Sequence, residues 1–211
     1  MLLFTKEVIE LLEIVLEKPK HLNTNVSNML HMEQILYNII LNLIKKDNHL
    51  RQIAKDLDVN HMTVKRALDT LVKENVLDVR EEGRNNVFSF KKNLRARKYT
   101  YNAENYKMIM LFRSYPELEP IISEILNESK SSLVILFGSF AKFSSGKDSD
   151  IDIYIDTNNI KEKKEIELVN SKISTKIGKF DLNSLLIKEI INDHVILKGV
   201  ELFYEKTKFF D

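Results

Sequence analysis

The stretch from Leu133 to Ile155, LVILFGSFAKFSSGKDSDIDIYI, decides how the C-terminal half of this chain folds. It opens on a continuous apolar run, Leu133 to Phe137, of strand length. Gly138-Ser139 follows at once, ten residues intervene, and Asp150-Ile151-Asp152 begins a second strand-like run that alternates to Ile155 and Asp156. Residues two apart in a strand share a face, so Asp150 and Asp152 set two carboxylates side by side, with Cα atoms roughly 6.6 Å apart. Such hard oxygen ligands suit Mg2+ or Mn2+, and such an ion in turn bridges nucleotide phosphates. A glycine straight after a buried strand lets the backbone approach a phosphate, while the serine adds a hydroxyl and an amide donor. Two metal ions call for a further carboxylate, and Asp181 in Lys179-Phe180-Asp181-Leu182 is the candidate.

Working outward, Leu118, Ile121, Ile122 and Ile125 predict a helix over 117–127, with Pro116 near its start. Downstream, the pattern predicts a helix from Lys161 to Ile177, a strand from Phe180 to Leu185, a helix from Leu186 to Ile196 and a last strand from Val200 to Tyr204.

The N-terminal half reads differently. Phe4 to Glu17 places apolar residues at helical spacing and ends at Lys18-Pro19-Lys20, and residues 21–31 have the composition of a linker. From Met32 the pattern is three helices and a hairpin. Ile35, Leu36, Ile39, Ile40, Leu43 and Ile44 line the first helix, and Leu50, Ile53, Ala54 and Leu57 the second. Asp58-Val59-Asn60 makes a tight turn, with Asn60 as N-cap of a third helix whose polar residues His61, Thr63, Lys65 and Arg66 point outward. Strand-like runs Val76 to Arg80 and Val87 to Lys91 flank a turn-rich segment containing Arg84. Lys91 to Tyr101 lacks periodicity, and Asn102 to Tyr115 is compatible with helix or strand, so 93–116 reads as a basic linker.

Composition bounds the function. With 44% hydrophobic and 30% charged residues the chain is an ordinary globular protein. Its 32 basic and 31 acidic residues nearly cancel, so a footprint for a polyanion has to be local. One such cluster exists: from Arg84 to Lys107 seven basic residues face only Glu104, a balance of +6. The absence of cysteine excludes disulfides, thiolate zinc sites and cysteine nucleophiles. The five histidines show no ligand spacing. Charges interrupt the apolar N-terminal stretch, so neither a signal peptide nor a membrane span is expected, and the expected compartment is the cytoplasm.

Two resemblances add to this. Phe137-Gly138-Ser139-Phe140-Ala141-Lys142 with Asp148-Ser149-Asp150-Ile151-Asp152-Ile153 resembles the minimal nucleotidyltransferases of the DNA polymerase β superfamily. This implies metal-dependent transfer of a nucleoside monophosphate from a nucleoside triphosphate. Gly138, Ser139, Lys142, Lys147 and Ser149 would then bind nucleotide, and Asp150, Asp152 and Asp181 would be catalytic metal ligands. The family commonly has Arg-Gly where this chain has Lys142-Phe143. Residues 32–92 resemble winged helix-turn-helix domains, which implies DNA contacts from Asn60, His61, Thr63, Lys65, Arg66 and Arg84 and a homodimer on paired half-sites. The expected architecture is α+β in two domains: a winged helix-turn-helix with a β-hairpin wing over 32–92, and an α/β nucleotidyltransferase fold with a small mixed sheet over 117–211. The acceptor, RNA or protein, stays open. So does a DNA-binding regulator or antitoxin whose nucleotidyltransferase-like domain senses nucleotide or mediates assembly without catalysis.

Overall fold

The computed structural model describes residues 20–83 and 85–211, so the helix expected over Phe4 to Glu17 and the side chain of Arg84 lie outside the described residues. Helix α1 runs Lys20–Lys45 and buries Ile35, Leu36, Ile39, Ile40 and Leu43 on one face. The expected linker over 21–31 is therefore helical. Extending a helix already anchored by packing costs little per residue, and Asn, Ser and Thr lower its propensity by only a few tenths of a kcal/mol each, about 0.5.

A two-residue strand β1 (Asn48–His49) leads into α2 (Leu50–Leu57), whose first turn is capped by His49 Nδ1 accepting from Gln52 N–H at 3.2 Å. Asp58 ends α2 at φ 51°, and Asn60 Oδ1 accepts from Met62 N–H at 2.8 Å to start α3 (His61–Lys73). Strands β2 (Leu77–Glu82) and β3 (Asn85–Phe90) form an antiparallel hairpin turning at Gly83, and β1 pairs with the other edge of β3. Ile39, Ile53, Val64, Leu68, Leu71 and Leu77 fill the space between helices and hairpin.

The segment expected as a basic linker is helix α4 (Leu94–Ser114), capped by Asn93 Oδ1 accepting from Ala96 N–H. Up to Tyr106 its buried positions carry Ala96, Thr100, Tyr101, Ala103, Glu104 and Tyr106, which explains why no hydrophobic period announces its first half, and Leu111 is buried further on. Several of its cations are engaged locally. Arg95 pairs with Glu74 at 3.1 Å, Arg97 lies 5.5 Å over the Phe210 ring, and Lys98 lies 5.2 Å over Tyr101.

Helix α5 (Leu118–Glu128) precedes a four-stranded mixed sheet of order β6-β5-β4-β7. Strands β4 (Val134–Phe137) and β7 (Val195–Lys198) are antiparallel, as are β4 and β5 (Ile151–Ile155), while β6 (Ile173–Ile177) runs parallel to β5. The one-turn helix α6 (Gly138–Ala141) follows β4 directly, and α7 (Ile160–Glu167) connects β5 to β6. Helices α8 (Leu185–Asn192) and α9 (Val200–Thr207) close the fold. The long helix expected over Lys161 to Ile177 thus breaks at Glu167, because the β-branched run from Ile173 pairs with β5. Phe180 to Leu185 is not a strand but a turn, with Ser184 N–H on Asp181 O. The helix expected over Leu186 to Ile196 stops at Asn192, and Val195 onward is strand. Val200 to Tyr204 is helical, its buried Val200, Phe203 and Tyr204 sitting at i, i+3 and i+4. No helix among the described residues is long and apolar enough to cross a membrane.

The sheet sorts its side chains by period two. Val134, Leu136, Ile151, Ile153 and Ile155 face α5 and α7, whereas Ile135, Phe137, Tyr154 and Ile196 join a core continuous with that of the N-terminal half. Within this shared core, Tyr204 O–H donates to Glu104 Oε1 at 2.7 Å, and His194 Nε2 lies 3.4 Å from the same oxygen. His194 Nδ1 is 2.8 Å from Ile190 O, so both ring nitrogens lie within hydrogen-bond reach of an oxygen. Burial opposes the charge on Glu104, but His194, Lys107 and the Tyr204 hydroxyl outweigh it and hold its carboxyl below the ordinary range. A carboxyl lowered in the native state stabilises the fold above its unfolded value and loses that stabilisation as pH falls through the native one. Glu104→Ala should therefore lower stability in urea by ~3 kcal/mol at pH 7, with the deficit shrinking as the pH drops below about 4. A wild-type midpoint at pH 7 would contradict this.

Candidate functional site

Strand register builds the site. Phe137 at the end of β4 lies opposite Asp152 on β5, so the residue after Phe137 meets the Asp152 side chain. That residue is Gly138, at φ +72°, and a Cβ there would stand 2.3 Å from Asp152 Oδ2. Only glycine admits both the backbone angle and the approach. Lys142 N–H closes the turn on Gly138 O at 3.2 Å, and Ser144 N–H reaches Ser139 O at 3.0 Å. Phe143, where the resemblance expects glycine, takes the left-handed angle φ +53°, which costs a branched backbone roughly 1 kcal/mol. Its ring stands 6.4 Å from Tyr115.

Asp150 is exposed at the start of β5 and Asp152 is half-buried. Burial and then the neighbouring Asp150 charge push the Asp152 carboxyl up, against hydrogen bonding from Ser174 and the charge of Lys176; Glu189 adds to the rise. A carboxyl whose ionisation is opposed by burial and by a neighbouring carboxylate is a place where a divalent cation would relieve repulsion. Two oxygen-donor carboxylates are chemically suited to a hard divalent ion.

Asp181 is not brought to this pair. The Phe180 amide donates to Asp156 Oδ1 at 3.1 Å, placing Asp181 at the far end of β5, roughly 13 Å from Asp152 along the strand. Its own Oδ1 accepts from Asn183 N–H at 3.0 Å, closing a turn. The β6 residue opposite Asp152 is Ser174, and among the described residues no three acidic or histidine side chains form a metal cluster. The acid that sequence reasoning missed is Glu189 on α8, which pairs with Lys142 at 3.2 Å. Its helix carries no other acid, and that was the one mark it left in the sequence. With both side chains about half exposed, the pair contributes at most ~1 kcal/mol, so it holds Lys142 loosely.

The remaining nucleotide candidates divide. Ser149 Oγ accepts from Gly146 N–H at 2.9 Å, and Lys147 O accepts from Lys172 Nζ at 2.8 Å. Lys147 and Ser149 line a cavity of about 500 Å³ with Tyr115, Phe140 and Ile151, on the α5 face; neither aspartate borders it. Asp152 opens on the opposite face, with Gly138 and Lys142.

In the N-terminal half, His61, Lys65 and Arg66 are exposed on the first turns of α3 and Thr63 is half-buried. His61 and Lys65 line a hollow of about 260 Å³ between α3 and β3, with Arg51 and Asn85. Asn60 is exposed, but its side-chain oxygen is committed to the helix cap.

Residues 119–208 match the family model described as "Polymerase beta, Nucleotidyltransferase", which supports a nucleotidyltransferase domain in that segment. No curated protein and no solved structure matches the chain.

Gly138→Ala should lower stability by ~2 kcal/mol, from the positive φ and the displaced Asp152 together, read as a fall in thermal midpoint. An unchanged midpoint would count against the contact. Because a divalent ion needs Asp152 ionised and its carboxyl titrates above the ordinary range, Mg2+ affinity should weaken on acidification already above pH 4, where an unperturbed aspartate is still charged. Calorimetric Mg2+ titrations at a series of pH values from about 7.5 down to about 4 would reveal this, and a flat profile would refute it.

Proposed function

We propose that the chain is a metal-dependent nucleotidyltransferase coupled to a winged helix-turn-helix that binds DNA. The observation that carries the first part is the packing of Gly138 against Asp152 beside Asp150: a phosphate-accessible bend and a carboxylate pair held by one strand register. Asp150 and Asp152 would hold Mg2+ or Mn2+, which when bound would supply positive charge against the negative charge that develops during in-line displacement. Gly138 leaves room for the phosphates, and the Ser139 hydroxyl and amide are donors to them. Lys142, only loosely paired with Glu189, is free to turn toward the phosphates as a point charge. The acceptor nucleophile bonds the α-phosphorus, the bond to the β-bridging oxygen breaks and pyrophosphate leaves.

Incubation with α-labelled ATP, GTP, CTP and UTP, Mg2+ and candidate RNA or protein acceptors tests this. Label transfer should fall at least ~100-fold in Asp152→Asn, with the fold intact by circular dichroism. Transfer unchanged in that variant would refute the assignment.

A second reading has its own observation: Asp181 stands apart from Asp150 and Asp152, and Ser174 occupies the position opposite Asp152. Under it the domain binds nucleotide without transferring it, serving a DNA-binding regulator or a protein-neutralising partner. Saturable ATP binding with no transfer to any acceptor would favour it. For the N-terminal half, α3 supports major-groove docking through His61, Thr63, Lys65 and Arg66 in a homodimer on paired half-sites. Lys65→Ala should weaken DNA binding across sequences and reduce the slope of log affinity against log salt by about 0.9, whereas an unchanged slope would remove Lys65 from the phosphate contacts.

A further inference from the structure

A second cavity of about 470 Å³ opens between the end of α1, α8 and α9, on the seam where the two halves share their core. Its size falls within the range that encloses small organic ligands. Ile44, Ile191, Phe203 and Phe209 supply an apolar and largely aromatic wall, and Lys45 and Lys188 stand at its edge. The His194 and Tyr204 side chains also line it, and behind them Glu104 Oε2 is buried without a hydrogen-bond partner. The buried His194, Tyr204 and Glu104 groups hold this wall in one arrangement, as a preformed site requires.

Charge selects the ligand. Each acid near the cavity already has a basic partner: Asp193 pairs with Lys45 at 2.8 Å, Glu189 with Lys142 at 3.2 Å, and Glu104 faces His194. Lys188 makes no ion pair among the described residues, so a net positive group is left at the mouth of an aromatic hollow. We propose that this cavity binds a planar aromatic monoanion, a carboxylate or sulfonate, with its ring against Phe209 and its anionic group on Lys188. Such a ligand bridges α1 of the N-terminal half and α8 of the C-terminal half. Its wall includes Glu189, the residue that pairs with Lys142, so occupancy touches the phosphate-side loop. The binding proposal does not depend on catalysis at that loop.

The test titrates the full chain with 1-anilinonaphthalene-8-sulfonate at neutral pH, followed by fluorescence and calorimetry. Saturable binding at one site per chain is expected. Thr207→Trp, which places an indole in the cavity, should abolish it, and Lys188→Glu should weaken it roughly tenfold. Lys161→Glu, on the remote exposed face of α7, should leave it unchanged. Absence of saturable binding overturns the proposal. So does wild-type affinity in Lys188→Glu, whose exposed position leaves folding undisturbed, or in a Thr207→Trp protein with a native circular dichroism spectrum.

Discussion

The C-terminal half is organised around a steric constraint at one residue. Gly138 must leave β4 with positive φ and pass within van der Waals reach of Asp152, since no side chain fits between them. From that contact follow the tight turn of α6, the direction in which Lys142 emerges, and the burial that raises the Asp152 carboxyl. The antiparallel pairing of β4 and β5 is what holds Phe137 and Asp152 opposite each other, so the site inherits its geometry from main-chain hydrogen bonds rather than from flexible side chains.

A second constraint joins the halves. Helix α4 carries Glu104 into the core, where Tyr204 and His194 from the C-terminal half meet it. Removing one member of a buried polar group leaves the others desolvated, so the group specifies how α4 seats against α8, β7 and α9. The apolar cluster running from Ile35 through Tyr101 to Phe203 acts in the same direction.

Legibility in the sequence followed the strength of local signals. Leu133 to Phe137 and Ile151 to Ile155 are strands as read, because an unbroken or alternating apolar run has few other solutions. Asn60 is the N-cap its neighbours implied, since capping depends on the adjacent turn alone. By contrast, the first half of α4 shows no helical period: up to Tyr106 its buried positions carry Ala, Thr, Tyr and Glu, whose burial depends on partners far away in the chain. Val200 to Tyr204 reads as a strand because five residues satisfy either period, but it is helical, and α9 forms where Phe203 and Tyr204 meet α4. In the site, Gly138, Asp150 and Asp152 were readable from spacing, whereas Glu189 and Ser174 were not, because each reaches the site by tertiary packing or strand pairing.

The sequence by itself determined the elements whose chemistry is local: the apolar strand, the glycine bend, the paired aspartates two residues apart and the capped helix at Asn60. Tertiary structure alone decided which distant residues face them. Strand pairing set Ser174 rather than an acid opposite Asp152, and the turn after β6 carried Asp181 to the other end of the sheet. Helix packing brought Glu189 to Lys142 and buried Glu104 against His194. The reason is one of range: backbone preferences act over a few residues, while tertiary contacts depend on partners a hundred positions away or more, Glu104 and Tyr204 among them.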